Sequence, residues 1–556
     1  MTSALVDAAL EASALLTRPF IQPQEGTRII PDAGISYPVC APRTDPVQPV
    51  MGDIFDAREV QKRLLQRHTC QDTNPPTLPP PSAIRAAEAS LIPRTKPSWH
   101  AQGLSDADVV AHILGDIVPA LTGQAASSRY YGFVTGGVLP IAEWADNVVS
   151  RMDQNVQVHL PAQCVATTVE DAALEMLAGL LRLGDGWKGR TFTTGATGSN
   201  VLGLACGREV VLAKKLGGEG SVGELGLLAA CREAGISETQ VLTSAGHSSL
   251  SKAASVVGIG RRCVKELGRS EDQPWRLDID AVERELQRPG AASIIAVSAG
   301  DVNTGGFALD GLDEWRRLRE LADKYGSWIH VDGAFGIFAR VLGSSDEDAP
   351  LKKRTEGIEL GDSITVDGHK ILNVPYDCGM FYTRSASTLQ SVFTNPNAAY
   401  LSSGSAASIP SPLNVGLENS RRFRALPVYA ALLSKGYAGM QRLVANMVQL
   451  SRRIAAFLRD SPHYELLPDE RAALDGVFMI VLFRAKDGAL NDALVERINE
   501  TRQMYVSGTA WRGDKAVRIA VSSWKVDVER DFEVVAAILN AVAAGEAFDI
   551  GGLQKQ

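Results

Sequence analysis

Two segments, SWIHVDGAFG at residues 327–336 and SITVDGHK at residues 363–370, decide the fold because each places polar residues directly after an apolar strand. The first predicted strand ends at Asp332, and the second runs into Lys370. Open α/β sheets bind ligands at the carboxyl ends of their strands. We therefore expect Asp332 and Lys370 to lie at one edge of a mostly parallel sheet, where both would contact the same ligand.

An amine and a carboxylate at such an edge match the needs of pyridoxal 5'-phosphate. That cofactor requires a lysine amine for a Schiff base and a carboxylate that keeps its pyridine nitrogen protonated, so that the ring accepts electrons. Taken singly, a lysine after a strand is usually a solvated cation, and an aspartate there is usually a turn or cap residue. The assignment therefore depends on two further segments.

The first of these segments is TFTTGATGSN at residues 191–200, where an apolar strand meets a glycine-rich turn and a helical run. This arrangement presents backbone N–H groups and a helix N-terminus to a phosphate, although tight turns also need glycine for steric reasons. In the second segment, His247 follows a short strand. Its imidazole would stack on a pyridine ring or would only cap the next helix. In chain order, the four features form a complete cofactor site.

The chain resembles the group II pyridoxal-phosphate-dependent amino-acid decarboxylases, which include glutamate, aromatic amino-acid and histidine decarboxylases. The resemblance runs from about residue 127 to residue 544. It rests on motifs in the family order: RYYGFVTGGVLP, the glycine-rich turn, AGHSS, HVDGAFG, DGHK, SRRFRAL and VRIAVSSW. HVDGAFG together with DGHK is the specific part of the match, and the other motifs support it.

The resemblance implies a role for individual residues. Lys370 would form the Schiff base, Asp332 would pair with the ring nitrogen, and His247 would stack on the ring. Tyr400 would be a tyrosine on a mobile loop that returns a proton to the substrate carbon after CO2 leaves, and Arg518 would hold the substrate α-carboxylate. Five further residues are expected at the ligands: Ala196, Thr197, Ala334 and His369 at the cofactor, and Tyr376 at the substrate.

Three segments depart from the family pattern. DGHK at residues 367–370 stands where many relatives have Asn-Pro-His-Lys, and a Thr-Thr pair near the cofactor is replaced by a segment with Asn303 and Thr304. Pro427 follows SRRFRAL where a lysine is common. These differences leave the cofactor chemistry in place. They leave open the substrate and which of Asn303 and Thr304 lies near the cofactor.

The expected activity is decarboxylation of an L-amino acid to its amine by a homodimer. A buried lysine that loses its proton acts as an amine nucleophile, and an arginine that grips the carboxylate would select the bond that breaks through orientation. Two alternatives stay open: a lyase or oxidative deaminase that yields an aldehyde, and a catalytically silent scaffold. Four aromatic residues are candidates for the mouth of the substrate pocket: Tyr130, Tyr131, Phe133 and Tyr376.

Composition fits a globular enzyme. The 556 residues are 45% hydrophobic and 22% charged with a net charge of −8, and no basic tract indicates nucleic-acid binding. Seven cysteines without a C-x-x-C pair argue against a disulfide framework or a zinc ribbon, so we expect no metal. The sequence has no apolar run long enough for a membrane span and no secretory signal pattern, which favours a cytoplasmic protein.

The chain divides into three predicted parts. Residues 1–123 form an N-terminal arm and helices that, in the resembled family, wrap the partner subunit. Residues 124–420 alternate strands with amphipathic helices, as in an α/β sheet covered on both faces, and the resemblance identifies this part as a fold-type-I PLP-dependent transferase fold. Residues 421–556 form a smaller C-terminal α+β domain. Within the large part, residues 385–417 are predicted as an irregular mobile loop that carries Tyr400.

Overall fold

The computed structural model describes residues 75–91, 103–217, 220–395, 409–469 and 473–553. The chain forms two compact units. One of them is described at residues 103–111, most of which belong to the helix Asp106–His112. The other contains the remaining described residues and all features discussed below.

A seven-stranded sheet organises this larger unit. Its strands are β1 (Gly189–Thr193), β2 (Glu238–Thr243), β3 (Val264–Glu266), β4 (Ala291–Ser298), β5 (Trp328–Asp332), β6 (Ser363–Asp367) and β7 (Gly379–Thr383). They lie in the order β1-β7-β6-β5-β4-β2-β3, and all neighbours from β6 to β3 are parallel. Strand β7 pairs antiparallel with both β6 and β1. Strand β1 therefore points the same way as β6, and six strands end at one edge, as predicted for a mostly parallel sheet.

Strands β4, β5, β6 and β7 are almost entirely buried, whereas edge strand β3 is partly exposed, as expected for a sheet covered on both faces. Successive residues of β4, Ile294 and Ile295, belong to two different apolar clusters, because neighbouring side chains of a strand point to opposite faces.

The described residues form the following helices, several of which cover these faces and connect the strands. They are α1 (Pro81–Ser90), α2 (Asp106–His112), α3 (Pro140–Met152), α4 (Ala166–Leu180), α5 (Ala196–Lys215), α6 (Val222–Leu225), α7 (Leu227–Glu233), α8 (Ser248–Val256), α9 (Ile279–Leu286), α10 (Leu312–Tyr325), α11 (Ala349–Arg354), α12 (Ala386–Phe393), α13 (Ala425–Asp460), α14 (Gly488–Glu500), α15 (Val528–Ala544) and α16 (Ile550–Leu553). Helix α5 packs on β4, β5, β6 and β7, while α13 packs on α3, α4 and α15. None of the helices in the described ranges combines the length and the apolar character that a membrane span requires.

A second, antiparallel sheet follows α13. Its strands β8 (Tyr464–Leu467), β9 (Ile480–Ala485), β10 (Ser507–Trp511) and β11 (Asp514–Ala520) lie in the order β10-β11-β9-β8. From about residue 421 onward, the sequence pattern predicts a long helix followed by strands near residues 477–483 and 517–521, and the structure has these elements with shifted bounds. The three-part division of the chain stays a prediction.

The expectation of an irregular loop over residues 385–417 was wrong for its first part. Residues Ala386–Phe393 form helix α12, in which the Ser385 side chain caps the first turn by accepting a hydrogen bond from the Thr388 N–H, and Leu389 is buried. The later prolines and glycines dominated the sequence pattern, although a serine cap before apolar residues at helical spacing was present. Tyr400 lies outside the described residues.

Candidate active site

Four strand ends bring five of the predicted site residues to one pocket at the shared edge of the large sheet. The turn after β1 contributes Ala196, and the segment after β2 contributes His247. Strand β5 ends at Asp332 and is followed by Ala334, and Lys370 lies three residues beyond the end of β6. This convergence follows from the sheet topology, because parallel strands present their carboxyl ends side by side.

Lys370 lies next to a carboxylate that sequence analysis did not assign to the site. Its Nζ is 3.0 Å from Oδ2 of Asp367, whose side chain is only 2% exposed. The other carboxylate oxygen of Asp367 accepts a hydrogen bond from the Ala196 N–H at 2.7 Å. Asp367 thus joins the amine to the glycine-rich turn. The available signal was its position at the end of a buried strand, three residues before Lys370.

The Asp332 carboxylate accepts two N–H donors. Oδ2 accepts from the Asn200 side-chain amide at 3.0 Å, and Oδ1 accepts from the Ala334 N–H at 3.2 Å. A carboxylate has about four acceptor positions, so Asp332 retains capacity for a further donor in the pocket.

His247 caps the next helix and also lines the pocket. Its Nδ1 accepts a hydrogen bond from the Ser249 N–H at 3.2 Å and so caps helix α8, while the same ring lines the pocket. The surrounding protein desolvates the imidazole and lowers the pKa of His247 from its usual value, which favours the neutral ring. The hydrogen bond that caps helix α8 therefore orients the imidazole, and the ring can still face a flat ligand in the pocket.

The glycine-rich turn has the geometry of an anion cradle. Gly195 has a φ of 140°, and a Cβ atom on it would lie 2.9 Å from Cε1 of His369. A Cβ atom on Gly379, at the start of β7, would lie 2.5 Å from the Gly195 Cα. The 20-residue helix α5 begins at Ala196, and its first turn has N–H groups without intrahelical acceptors. Thr197 lies exposed on this turn.

The rings of His369 and Tyr376 contact each other at an angle near the turn. Their ring centroids are 4.7 Å apart, and Nδ1 of His369 accepts a hydrogen bond from the Cys378 N–H. Burial lowers the pKa of His369. Tyr376 is half exposed, and its hydroxyl accepts a hydrogen bond from the Gln124 amide at 3.3 Å. Neither residue lines the pocket, although Nε2 of His369 lies 3.6 Å from Oδ2 of Asp367; their contacts with cofactor and substrate stay a prediction.

Arg518 lies behind the pocket wall. Its guanidinium donates hydrogen bonds to the carbonyl of Val302, a pocket residue, and to the carbonyl of Gly132. Its Nε is buried without a hydrogen-bond partner, and burial lowers the pKa of Arg518. The structure therefore places Arg518 close to the pocket with its donors directed mainly at backbone carbonyls.

Neither of the two residues left open from the sequence, Asn303 and Thr304, lines the pocket, whereas their neighbour Asp301 does. The Thr304 hydroxyl donates to Oδ2 of Asp301 at 2.8 Å, and the Asn303 amide donates to the Ala510 carbonyl in β10. Burial raises the pKa of Asp301.

The aromatic candidates for the pocket mouth separate into two groups. Tyr131 is completely buried and belongs to the hydrophobic core. Tyr130 and Phe133 instead contact Tyr505, with ring centroids 4.8 and 6.1 Å apart. Tyr505 comes from the C-terminal part of the chain, and no sequence motif had indicated it.

These residues fit pyridoxal 5'-phosphate. The pocket offers an amine, a carboxylate with spare acceptor capacity, an imidazole and a helix N-terminus behind a turn that only glycine can form. Those are the groups that would bond its aldehyde, pair with its ring nitrogen, cover its ring and hold its phosphate.

Comparisons with known proteins support the same cofactor. The sequence model described as "Pyridoxal-dependent decarboxylase conserved domain" matches residues 142–486, which is more than half of the chain. L-2,4-diaminobutyrate decarboxylase of Acinetobacter baumannii is 27% identical over 57% of this chain, and the aligned segment spans 60% of that relative. Tryptophan decarboxylase 1 of Oryza sativa subsp. japonica is 24% identical over 73% of this chain and 78% of its own length.

Solved structures show the same fold. The crystal structure of an Oryza sativa decarboxylase "TDC with PLP and tryptamine" has a TM-score of 0.72 and 20% identity, and the match covers 90% of this chain and all of that one. Rhodiola rosea 4-hydroxyphenylacetaldehyde synthase has a TM-score of 0.71 at 18% identity, with 89% of this chain covered and all of that chain. At these identities the likeness concerns the fold alone.

Proposed function

The chain belongs to the pyridoxal-dependent decarboxylase family, and on this premise we propose that it uses pyridoxal 5'-phosphate to remove the α-carboxylate of an L-amino acid as CO2 and releases the amine. The observation that carries the proposal is the convergence of Lys370, Asp332 and His247 in one pocket at the carboxyl edge of the sheet. That edge is where open α/β sheets bind their ligands.

Each of these residues has a distinct proposed task. When bound, the cofactor supplies a ring that accepts the electrons of a breaking bond at the substrate α-carbon. The Lys370 amine would hold the cofactor aldehyde, Asp332 would keep a proton on the ring nitrogen, and His247 and Ala334 would enclose the ring. N–H groups at the start of α5 would bind the phosphate.

Orientation would then select which substrate bond breaks. Arg518 is proposed to bind the substrate α-carboxylate, which requires its guanidinium to exchange a backbone carbonyl partner for the carboxylate. A charged, bidentate partner is stronger than a neutral carbonyl, which makes this exchange favourable. Tyr400 is proposed to deliver the proton to the α-carbon after CO2 leaves, and Tyr376 and Tyr130 are proposed to contact the substrate side chain.

The assay is a panel of L-amino acids incubated with the purified, cofactor-loaded protein, with separate measurement of CO2, amine, aldehyde and peroxide. Decarboxylation predicts CO2 and amine in equal amounts from at least one substrate, and none from the Lys370→Ala variant. Aldehyde with peroxide as the main products would replace the proposal with the oxidative reaction. Loaded protein without any product across the panel would favour the silent scaffold.

We further propose that the protein acts as a cytoplasmic homodimer, with a large cofactor domain up to residue 420 and a smaller domain after it. Exposed apolar side chains support a partner surface; they include Leu121, Phe133, Met152, Val165 and Leu417, each about half exposed or more. The cysteines in the described ranges are free, as is usual in a reducing compartment. Light scattering after size-exclusion chromatography would test the dimer, and a monomeric mass at assay concentration would contradict it.

A further inference from the structure

One buried amide lies between the two residues proposed to hold the cofactor ring. Asn200, on helix α5, is completely buried. Its Nδ2 donates to Oδ2 of Asp332 at 3.0 Å and to Oγ of Ser249 at 3.2 Å. The Ser249 hydroxyl lies 2.7 Å from Nδ1 of His247. A single side chain therefore contacts the acid directly and the imidazole through one hydroxyl.

The other end of the amide is held by two buried donors. Oδ1 of Asn200 accepts from the Thr365 hydroxyl at 2.9 Å and lies 3.0 Å from Nε2 of His330. Both residues are completely buried in neighbouring strands, His330 in β5 and Thr365 in β6. If the amide were reversed, its NH2 would face the Thr365 hydroxyl and its oxygen would face the Asp332 carboxylate, which places two acceptors 3.0 Å apart.

The direction of each hydrogen bond in this cluster follows from the Asp332 carboxylate, which accepts from Nδ2 of Asn200 and so leaves Oδ1 of Asn200 facing Nε2 of His330. The hydrogen of the neutral His330 ring is then on Nε2 and is donated to Asn200. Nδ1 of His330 accepts from the Ser363 hydroxyl at 2.7 Å, and the Ser363 oxygen accepts from Trp328 Nε1 at 2.9 Å. Burial lowers the pKa of His330 to about 4, which agrees with a neutral ring.

The same reasoning gives the hydrogen position on His247. Its Nδ1 accepts from the Ser249 N–H, so the hydrogen of the neutral ring lies on Nε2 and the Ser249 hydroxyl donates to Nδ1. The Ser249 oxygen is then free to accept from Asn200. Every donor in the cluster meets an acceptor in one consistent direction from Trp328 to Asp332 and His247.

We propose that Asn200 is a positioning residue that fixes the Asp332 carboxylate and the His247 ring relative to each other, and that the Trp328, Ser363, His330 and Thr365 side chains set the orientation of its amide. This inference rests on the proposed function of Asp332 and His247 at the cofactor ring. It assigns to the buried polar residues behind the pocket a role in tuning the cofactor as well as in stabilising the sheet.

Asn200→Asp is the direct test, because it exchanges the donor toward Asp332 for an acceptor without changing the size of the side chain. Two carboxylates 3.0 Å apart cannot both be ionised without a large cost, so the pair would retain a proton and Asp332 would offer less negative charge to the ring nitrogen. We expect the dissociation constant for pyridoxal 5'-phosphate, measured by titrating the cofactor-free protein, to rise about tenfold or more. We also expect the absorbance of the bound cofactor to change with pH between pH 6 and pH 9 in a way that the wild type does not.

Two isosteric threonine substitutions provide a matched pair. Thr365→Val removes one of the two donors that orient the Asn200 amide, whereas Thr243→Val removes a buried hydroxyl that has no hydrogen-bond partner. Thr365→Val should weaken cofactor binding about threefold or more and alter the pH dependence of the absorbance, since one hydrogen bond is worth roughly 1 kcal/mol. Thr243→Val should match the wild type in both measurements.

The outcomes separate this inference from the proposed function. An Asn200→Asp protein with wild-type affinity and a superimposable absorbance titration would overturn the inference. If that variant does not fold, equal effects of Thr365→Val and Thr243→Val would overturn it, and an effect confined to Thr365→Val would support it. None of these measurements needs turnover, so a protein that releases no CO2 would refute decarboxylation and leave the positioning result standing.

Discussion

The free energy of unfolding of the wild type should fall between pH 7 and pH 5 partly because His330 titrates. Replacing His330 with glutamine should make this fall smaller. The imidazole is completely buried and its pKa is lowered from 6.5 to about 4, chiefly by desolvation, while the nearby Asp332 carboxylate opposes the shift. In the unfolded chain the same ring binds a proton below its ordinary pKa. Between these two values the unfolded state therefore binds more protons, and the free energy of unfolding falls as the pH falls.

The two pKa values give the size of the effect. At pH 7 the ring is mostly neutral in both states, whereas at pH 5 it is neutral in the folded protein and protonated in the unfolded chain. The difference corresponds to a loss of about 2 kcal/mol on going from pH 7 to pH 5. Glutamine at this position can donate to Asn200 and accept from Ser363 without titrating. Any packing cost against Gly203, which the imidazole contacts, applies at both pH values and cancels in the difference.

The assay is denaturant unfolding of the wild type and His330→Gln at both pH values, with the free energy of unfolding obtained by linear extrapolation. Carboxylates also change the free energy of unfolding of the wild type between pH 7 and pH 5. The quantity to compare is therefore the decrease in that free energy in the wild type and in His330→Gln. His463→Gln is the control, because that imidazole is exposed in the folded protein and its removal should leave the wild-type loss intact. Equal losses in the wild type and His330→Gln would refute the reasoning.

Four further substitutions test the proposed site. Lys370→Ala should abolish turnover, and borohydride should no longer attach the cofactor to the chain; retained activity would contradict the proposed function. Asp332→Asn should lower kcat by at least about a hundredfold, because the ring nitrogen loses its carboxylate. An Asp332→Asn variant with nearly wild-type kcat would show that this acid is misassigned. His247→Ala should mainly weaken cofactor affinity. Tyr400→Phe should reduce amine output and raise aldehyde and peroxide under air, and amine formation at the wild-type rate would leave Tyr400 without a catalytic task.

The sequence predicted the parts of the site that follow from strand ends. An apolar strand that stops at Asp332 or runs into Lys370 indicates the sheet edge directly, and family motifs ordered the remaining segments. The convergence of Ala196, His247, Asp332, Ala334 and Lys370 was predictable because parallel strands share one carboxyl edge.

Contacts between distant segments were not predictable in the same way. Asn200 looks like any small polar residue at the start of a helix, and its partners His330 and Thr365 are 130 and 165 residues away in the sequence. Tyr505 reaches Tyr130 from the C-terminal part of the chain, and the backbone partners of Arg518 lie in two separate loops. Local patterns carry no information about such pairings, because they depend on how the elements are placed in space.

The antiparallel strand β7 has a consequence for how the protein is made. Within the described residues of the large sheet, strand β1 pairs with β7 alone, whose residues leave the ribosome almost two hundred positions later. Until Gly379 has been synthesised, helix α5 and the Ala196–Asp367 hydrogen bond can hold the glycine-rich turn near Lys370, but β1 has no strand beside it. The nascent chain therefore completes its cofactor site late in translation, and a fragment that ends before β7 would have the lysine, the acid and the turn without the strand that fixes β1 in the sheet.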